Sequence, residues 1–147
     1  MNEKQLRMEE HVKSLLADIA ENQADTILGM LSPCFESCSA EEGTVTISYP
    51  AMAWERNPIG VMQGGVVATI LDFSIDCLST YYGGMKAVTV SLQTSYLRGC
   101  PIDGRLVVKV RATKAGRSMI HCFAECWEEK TPDKLVATSV GVYYGQG

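Results

Sequence analysis

Apolar residues recur at helical spacing near the start of the chain. Leu6, Val12, Leu15, Leu16 and Ile19 fall on one stripe of residues 3 to 21, with Glu3, Lys4, Arg7, Glu10 and Lys13 elsewhere. That pattern predicts an amphipathic helix. Ala24 to Met30 reads as a further helical turn or two, for which Asn22 and Asp25 offer caps. From Leu31 to Tyr49 the period changes: Thr44 to Tyr49 alternates as a strand does, and Glu41-Glu42-Gly43 is a turn, so a β-hairpin is expected. Pro50 to Met62, with Pro58 and Gly60, reads as a structured loop.

The next segment, Gln63 to Tyr82, is apolar around most of a helix: Val66, Val67, Ile70, Leu71, Phe73, Ile75 and Leu78 leave little of its circumference polar, so protein should surround it. Gly83-Gly84 supplies the stop. After it come four alternating stretches, Lys86 to Leu97, Arg105 to Thr113, Ser118 to Glu128 and Lys134 to Tyr144. Turns at residues 100–104, 114–117 and 131–133 separate them, and the whole reads as an antiparallel meander. One all-round apolar helix beside about six antiparallel strands is most simply wrapped by a curved sheet, an α+β architecture.

Length and composition narrow the function classes. A chain of 147 residues with 46% apolar content can fill a single core. A net charge of −4, without a basic stripe, disfavours nucleic acid as a partner. No run approaches the roughly 18 to 20 apolar residues of a membrane span, and the N-terminus lacks the pattern of a secretory signal. No membrane association and a cytoplasmic location are expected. Cys34 and Cys38, like Cys122 and Cys126, stand four apart in strand-like segments, roughly 13 Å, too far to bridge or to share a zinc. Reduced thiols and no metal site are the expectation.

The candidate chemistry lies at the head of the apolar helix. Gly64-Gly65 would leave unpaired N–H groups facing a ligand at the positive end of the helix dipole, and Asp72 is a carboxylate inside an apolar run. Together they form an electrophile-polarising amide and a base or nucleophile, the minimum for acyl hydrolysis. Eight residues of helix put Gly64 and Asp72 about 12 Å apart, whereas a nucleophile must come within roughly 3 to 3.5 Å of the polarised carbonyl carbon. Two antiparallel copies of the helix satisfy both demands, so a two-fold dimer belongs to the hypothesis.

Each group also has a plainer reading. Gly-Gly can be a packing device, Asp72 a hydrogen-bonded core residue, Asn57 a turn former before Pro58, and Thr89 an ordinary strand residue. Asp76, one turn beyond Asp72, is read as facing solvent or a polar partner. Arg98, Lys114 and Arg117, in or beside turns, could hold phosphates or be solvated charges. Met62, Phe73, Tyr81 and Tyr82 could line an acyl pocket or simply pack. His11 and His121 read as surface or structural histidines.

Asn57-Pro58-Ile59-Gly60-Val61-Met62-Gln63-Gly64-Gly65, followed by Leu71-Asp72, resembles the hotdog-fold acyl-CoA thioesterases of the phenylacetate-pathway (PaaI-like) type. Their pattern is an Asn, a Gly three residues on, His-Gly-Gly, and an Asp eight residues after the first Gly of that pair. The resemblance runs over roughly residues 28 to 145, and Val88-Thr89-Val90-Ser91-Leu92 matches the family's next strand, where a Ser or Thr often assists the aspartate. It implies a hotdog domain over residues 1–147, with 1–27 as a helical extension, assembled as a homodimer or tetramer. It implies an acyl-CoA substrate of small-to-medium aliphatic or aryl type and no separate cofactor. Asp72, Gly64, Asn57 and Thr89 then take catalytic roles, and Gln63, Gly65, Arg98, Lys114 and Arg117 bind substrate. The departure is Gln63 in the histidine position; it can donate a hydrogen bond but cannot titrate. The rival from another class is a non-catalytic acyl-CoA or aromatic-ligand binding protein. A DNA-binding regulator on this fold lacks support from an acidic chain without an added helix-turn-helix.

Overall fold

Ten elements follow one another along residues 2–145, the part that the computed structural model describes. They are α1 (Glu3–Asn22), α2 (Ile27–Leu31), β1 (Cys34–Ser39), β2 (Thr44–Pro50), a 3-10 turn (Ala53–Glu55), α3 (Gly64–Gly83), β3 (Val88–Tyr96), β4 (Arg105–Ala115), β5 (Met119–Glu128) and β6 (Leu135–Tyr144). The strands form one antiparallel sheet in the order β1-β2-β4-β5-β6-β3.

Alternation along the strands sets which side of the sheet meets α3. Val45, Ile47 and Tyr49 on β2, Leu106, Val108 and Val110 on β4, and Ile120, Cys122, Ala124 and Cys126 on β5 are all buried, because successive side chains of a strand point to opposite faces. Against them lie Val67, Ile70, Leu71, Phe73, Ile75, Cys77 and Leu78 of α3. Each such fully buried Leu or Ile contributes about 1.5 to 3 kcal/mol. Where the helix crosses β6, Gly141 lets it lie close: a Cβ there would come 2.9 Å from Ile75 Cδ1. A hydroxyl pair inside this layer, Tyr49 Oη and Ser74 Oγ, is satisfied at 2.7 Å.

The hairpin, the surrounded helix and the strand-rich second half match the expectation, and three details depart from it. First, the second half is not a simple meander. β4, β5 and β6 follow in order, but β3 crosses to the far side and pairs with β6, Thr94 opposite Ser139, leaving β4 free to pair with β2. Second, Leu6 is exposed; Met8, Val12, Leu16 and Ile19 form the buried stripe of α1. Leu6 lies two residues from Met8, some 200° around the helix and so on the opposite side. Third, Thr26 caps α2 by accepting from the Gly29 N–H, where Asn22 or Asp25 was expected.

β3 is the sheet edge that concerns the site. It exposes Val88, Val90 and Tyr96, and Leu97 just beyond it, on a strand with one unpaired side. The six cysteines are free, with Cys77, Cys100, Cys122 and Cys126 buried. No helix among the described residues is long and apolar enough to cross a membrane.

Candidate active site

The loop before α3 is built to deliver its N-terminus. Asn57 Oδ1 accepts from the Ile59 and Val61 N–H groups, both at 3.1 Å, while the Asn57 N–H donates to the Val61 carbonyl at 2.7 Å. Asn57 is therefore the turn former of this loop, and its remaining amide nitrogen has no partner among the described residues. The Gln63 N–H donates to the Glu55 carbonyl at 2.7 Å. Glu55 itself is buried and accepts from the Met52 N–H at 2.6 Å; burial pushes its carboxyl up.

Gln63 is the N-cap of α3: its Oε1 accepts from the Val66 N–H at 3.1 Å. Its carbonyl accepts from Val66 and Val67. The Gly64 and Gly65 N–H groups are the ones left without a partner among the described residues, as the first amides of a helix are. The two glycines differ in why they are glycine. A Cβ at Gly65 would sit 2.8 Å from Gln63 Oε1 and disturb the cap, whereas a Cβ at Gly64 would meet only the Tyr96 ring at an ordinary 3.6 Å. Packing within this protomer does not require glycine at position 64. Around it is a cavity of about 310 Å³ lined by Asn57, Met62, Gly64, Val67, Tyr96 and Arg98, among others. Tyr96 donates to the Gly64 carbonyl at 2.7 Å.

Asp72 lies on the same helix in a second cavity, about 280 Å³, lined by Leu28, Thr69, Asp72, Phe73, Asp76, Ala87, Val88 and Thr89. Thr89 Oγ1 donates to Asp72 Oδ1 at 2.8 Å. The Tyr143 hydroxyl reaches the same Oδ1 and the Asp72 carbonyl, the latter at 2.6 Å. Burial, and then the bond to Asp72, holds the Tyr143 hydroxyl far above the usual phenol range, so it remains a donor. Asp72 Oδ2 has no partner among the described residues.

Asp76, expected to face solvent or a polar partner, faces the Asp72 cavity without a polar partner for its carboxyl. It is half-buried, and that carboxyl has no hydrogen bond among the described residues. Burial first, and the Asp72 charge second, push it up to about 7. Its position follows from helical spacing, since residues four apart share a face.

The cations divide between two ends of the sheet. Arg98 lines the Gly64 cavity. Lys114 and Arg117 lie exposed at the β4–β5 turn, beside the start of β3, since Met119 and Val88 both pair with Tyr144. The length of β3 separates the two groups by about 26 Å, so one protomer does not bring them together. Of the candidate pocket residues, Phe73 lines the Asp72 cavity and Met62 the Gly64 cavity. Tyr81 and Tyr82 instead face a separate groove beside Lys4, Arg7 and His11. His11 Nε2 is bonded to Thr80 Oγ1 at 2.9 Å, and burial lowers its pKa; it is structural. His121 lies partly buried in β5.

Tyr143, Tyr96 and Leu28 escaped the sequence reading. The signal for Tyr143 was a polar tip at an inward position of the last alternating strand, and buried tyrosines generally find a partner for that hydroxyl.

A family model, the thioesterase superfamily, matches residues 59–134. No curated protein matches the chain in sequence. Among solved structures, a phenylacetic acid degradation-related protein of Ralstonia eutropha is 26% identical, with a TM-score of 0.78 over 91% of this chain and 98% of its own. The PaaI protein of the Escherichia coli phenylacetic acid degradation operon superposes at a TM-score of 0.82, with 16% identity, over 98% of this chain and 96% of its own. A Streptococcus mutans protein bound to acetyl-CoA superposes at 0.69, with 19% identity, over 78% of this chain and 89% of its own. With the family model spanning just over half of the chain, this protein belongs to the thioesterase superfamily, on a PaaI-like hotdog fold.

Proposed function

We propose that this protein is an acyl-CoA thioesterase whose site is shared between two copies of the chain. The observation that carries the reading is the state of Asp72. Its carboxylate is fixed by Thr89 and Tyr143 on one oxygen, has the other free, and borders a cavity on the helix whose first amides are also free. A carboxylate held in one orientation by two donors is ready to take a proton from water or to attack a carbonyl.

The assembly follows from distance. About 12 Å of helix separates Gly64 from Asp72, and each borders its own cavity. Two antiparallel copies of α3 would join the Asp72 cavity of one to the Gly64 cavity of the other. The open edge of β3, with Val88 and Val90 exposed, is a surface on which such a copy could continue the sheet. In that arrangement Lys114 and Arg117 of one subunit and Arg98 of the partner subunit stand around one site as candidate phosphate contacts. The acetyl-CoA in the Streptococcus mutans relative supports coenzyme A as the ligand class here.

Hydrolysis then runs in two steps. Asp72 takes a proton from water as oxygen bonds to the thioester carbon, and the carbonyl electrons move onto oxygen, where Gly64 N–H of the partner subunit stabilises them. Collapse breaks the C–S bond; the thiolate leaves and takes the proton that Asp72 holds. Asn57, through its free amide nitrogen, orients the carbonyl, while Gln63 and Gly65 maintain the helix start. The acyl group, small-to-medium aliphatic or aryl, lies against Leu28, Phe73, Ala87 and Val88. The test is an acyl-CoA panel with thiol detection, comparing wild type with Asp72→Ala. Turnover only in wild type is expected. Binding without turnover in the wild type would favour the alternative, a non-catalytic acyl-CoA or aromatic-ligand binder, for which Gln63 in place of a histidine is the supporting feature.

A further inference from the structure

Asp76 has a place in the Asp72 cavity that neither the fold nor the mechanism above uses. The two aspartates are one helical turn apart, with Cβ atoms about 5 to 6 Å from each other, and border the same cavity. No basic side chain lines it. Its other polar groups are already engaged: Thr89 donates to Asp72 and Thr69 to the Gly65 carbonyl. Within the protomer, an ionised Asp76 would face a second carboxylate with no donor to offset either its burial or the repulsion.

On the thioesterase reading, we propose that Asp76 is a positioning residue: protonated, it leaves Asp72 as the single negative charge of the cavity, and on ionising it slows hydrolysis. The attack step builds negative charge on the thioester oxygen, so a second carboxylate a few ångströms away opposes it by ordinary repulsion at reduced dielectric. The groups around Asp76 fit this assignment. On α3 they are Asp72 and the Cys77 thiol, itself pushed well up by burial and then by Asp76. On β6 it is Tyr143, which remains protonated. Leu28 of α2 and Thr89 of β3 bring no charge, and His11 of α1 is occupied with Thr80 one turn on. With its midpoint at about 7, Asp76 would change state within the neutral range.

The experiment compares pH profiles of kcat and kcat/KM for wild type, Asp76→Asn and Asp76→Ala on an acyl-CoA from the panel. It is paired with carboxyl titration by 13C NMR in the wild type and in Asp72→Asn. Asn mimics the protonated carboxyl. Asp76→Asn should keep activity within about threefold of wild type at pH 6 and stay flat to pH 9, while wild type declines above pH 7 by up to about tenfold per unit. Asp76→Ala should lose the decline as well. The Asp76 midpoint should fall when Asp72→Asn removes the neighbouring charge. An alkaline decline retained in Asp76→Asn, or a midpoint indifferent to Asp72→Asn, would overturn the proposal. A wild type inactive on every acyl-CoA would overturn the parent reading instead, and the NMR titration would still decide whether the two carboxyls are coupled.

Discussion

Tyr143, on the last strand, donates its hydroxyl to Asp72 on the central helix, at the same Oδ1 that Thr89 reaches from β3. Two strands, β3 and β6, thus fix one carboxylate of the helix and leave its Oδ2 without a partner among the described residues. Asp72→Ala is expected to lower kcat by 10² to 10⁴, roughly the range for a positioned acid–base group, with the circular dichroism spectrum unchanged. Tyr143→Phe removes a donor to a charged acceptor, worth about 1.5 to 3 kcal/mol. It should lower both the melting temperature and kcat, while Thr89→Ala affects kcat more than stability because Thr89 is exposed. Steady-state kinetics and thermal melts on the three variants check this pattern.

The two glycines should separate by readout. Gly64→Ala meets only an ordinary contact with Tyr96, so the fold tolerates it, yet the new methyl would stand where a carbonyl approaches. Activity should fall roughly 10- to 100-fold, within the scale of a lost oxyanion donor, at an unchanged or raised melting temperature. Gly65→Ala crowds Gln63 Oε1 and should cost about 1 kcal/mol through the cap. Equal melting temperatures for the two variants would contradict this division.

Asp76 also predicts a pH dependence of stability. Its folded pKa, about 7, lies above the ordinary 3.8, so between these values the folded state binds more protons than the unfolded one. Stability from this group is therefore present below pH 3.8 and is lost as pH rises toward 7, by up to a few kcal/mol. Asp76→Asn should be more stable than wild type at pH 8 and similar to it at pH 4, as measured by urea denaturation at both.

A charge on the open edge should separate folding from assembly. Val90 is exposed on β3, so Val90→Lys should leave the protomer folded while it opposes strand-to-strand pairing with a second copy. Sedimentation should show a monomer, and hydrolysis should be lost with the dimer. A dimer of normal activity would place the shared surface elsewhere.

Much of the fold was legible because burial is written locally: the all-round apolar helix and the alternating strands each report their own surroundings. The position of β3 was not. Pairing with β6 joins residues such as Gln93 and Val140, a long-range choice that alternation cannot express, and it is this pairing that brings Thr89 and Tyr143 to the same end of Asp72. The motif spacing pointed to Gly64 and Asp72, but whether Asp76 faced solvent or the cavity depended on what covered that side of the helix. Asn57 shows the converse. Its turn role was readable from Pro58 and Gly60, and only the structure shows that Asn57 lines the Gly64 cavity with its amide nitrogen unpartnered among the described residues.

Mixing inactive subunits measures the central claim most directly. Asp72→Ala and Gly64→Val chains, carrying different tags, can be co-expressed and the heterodimer isolated on both tags. One of its two sites then holds an intact Asp72 and an intact Gly64, so about half the wild-type activity per dimer should return although each parent homodimer is inactive. A purified heterodimer as inactive as its parents would contradict a site completed by the second copy.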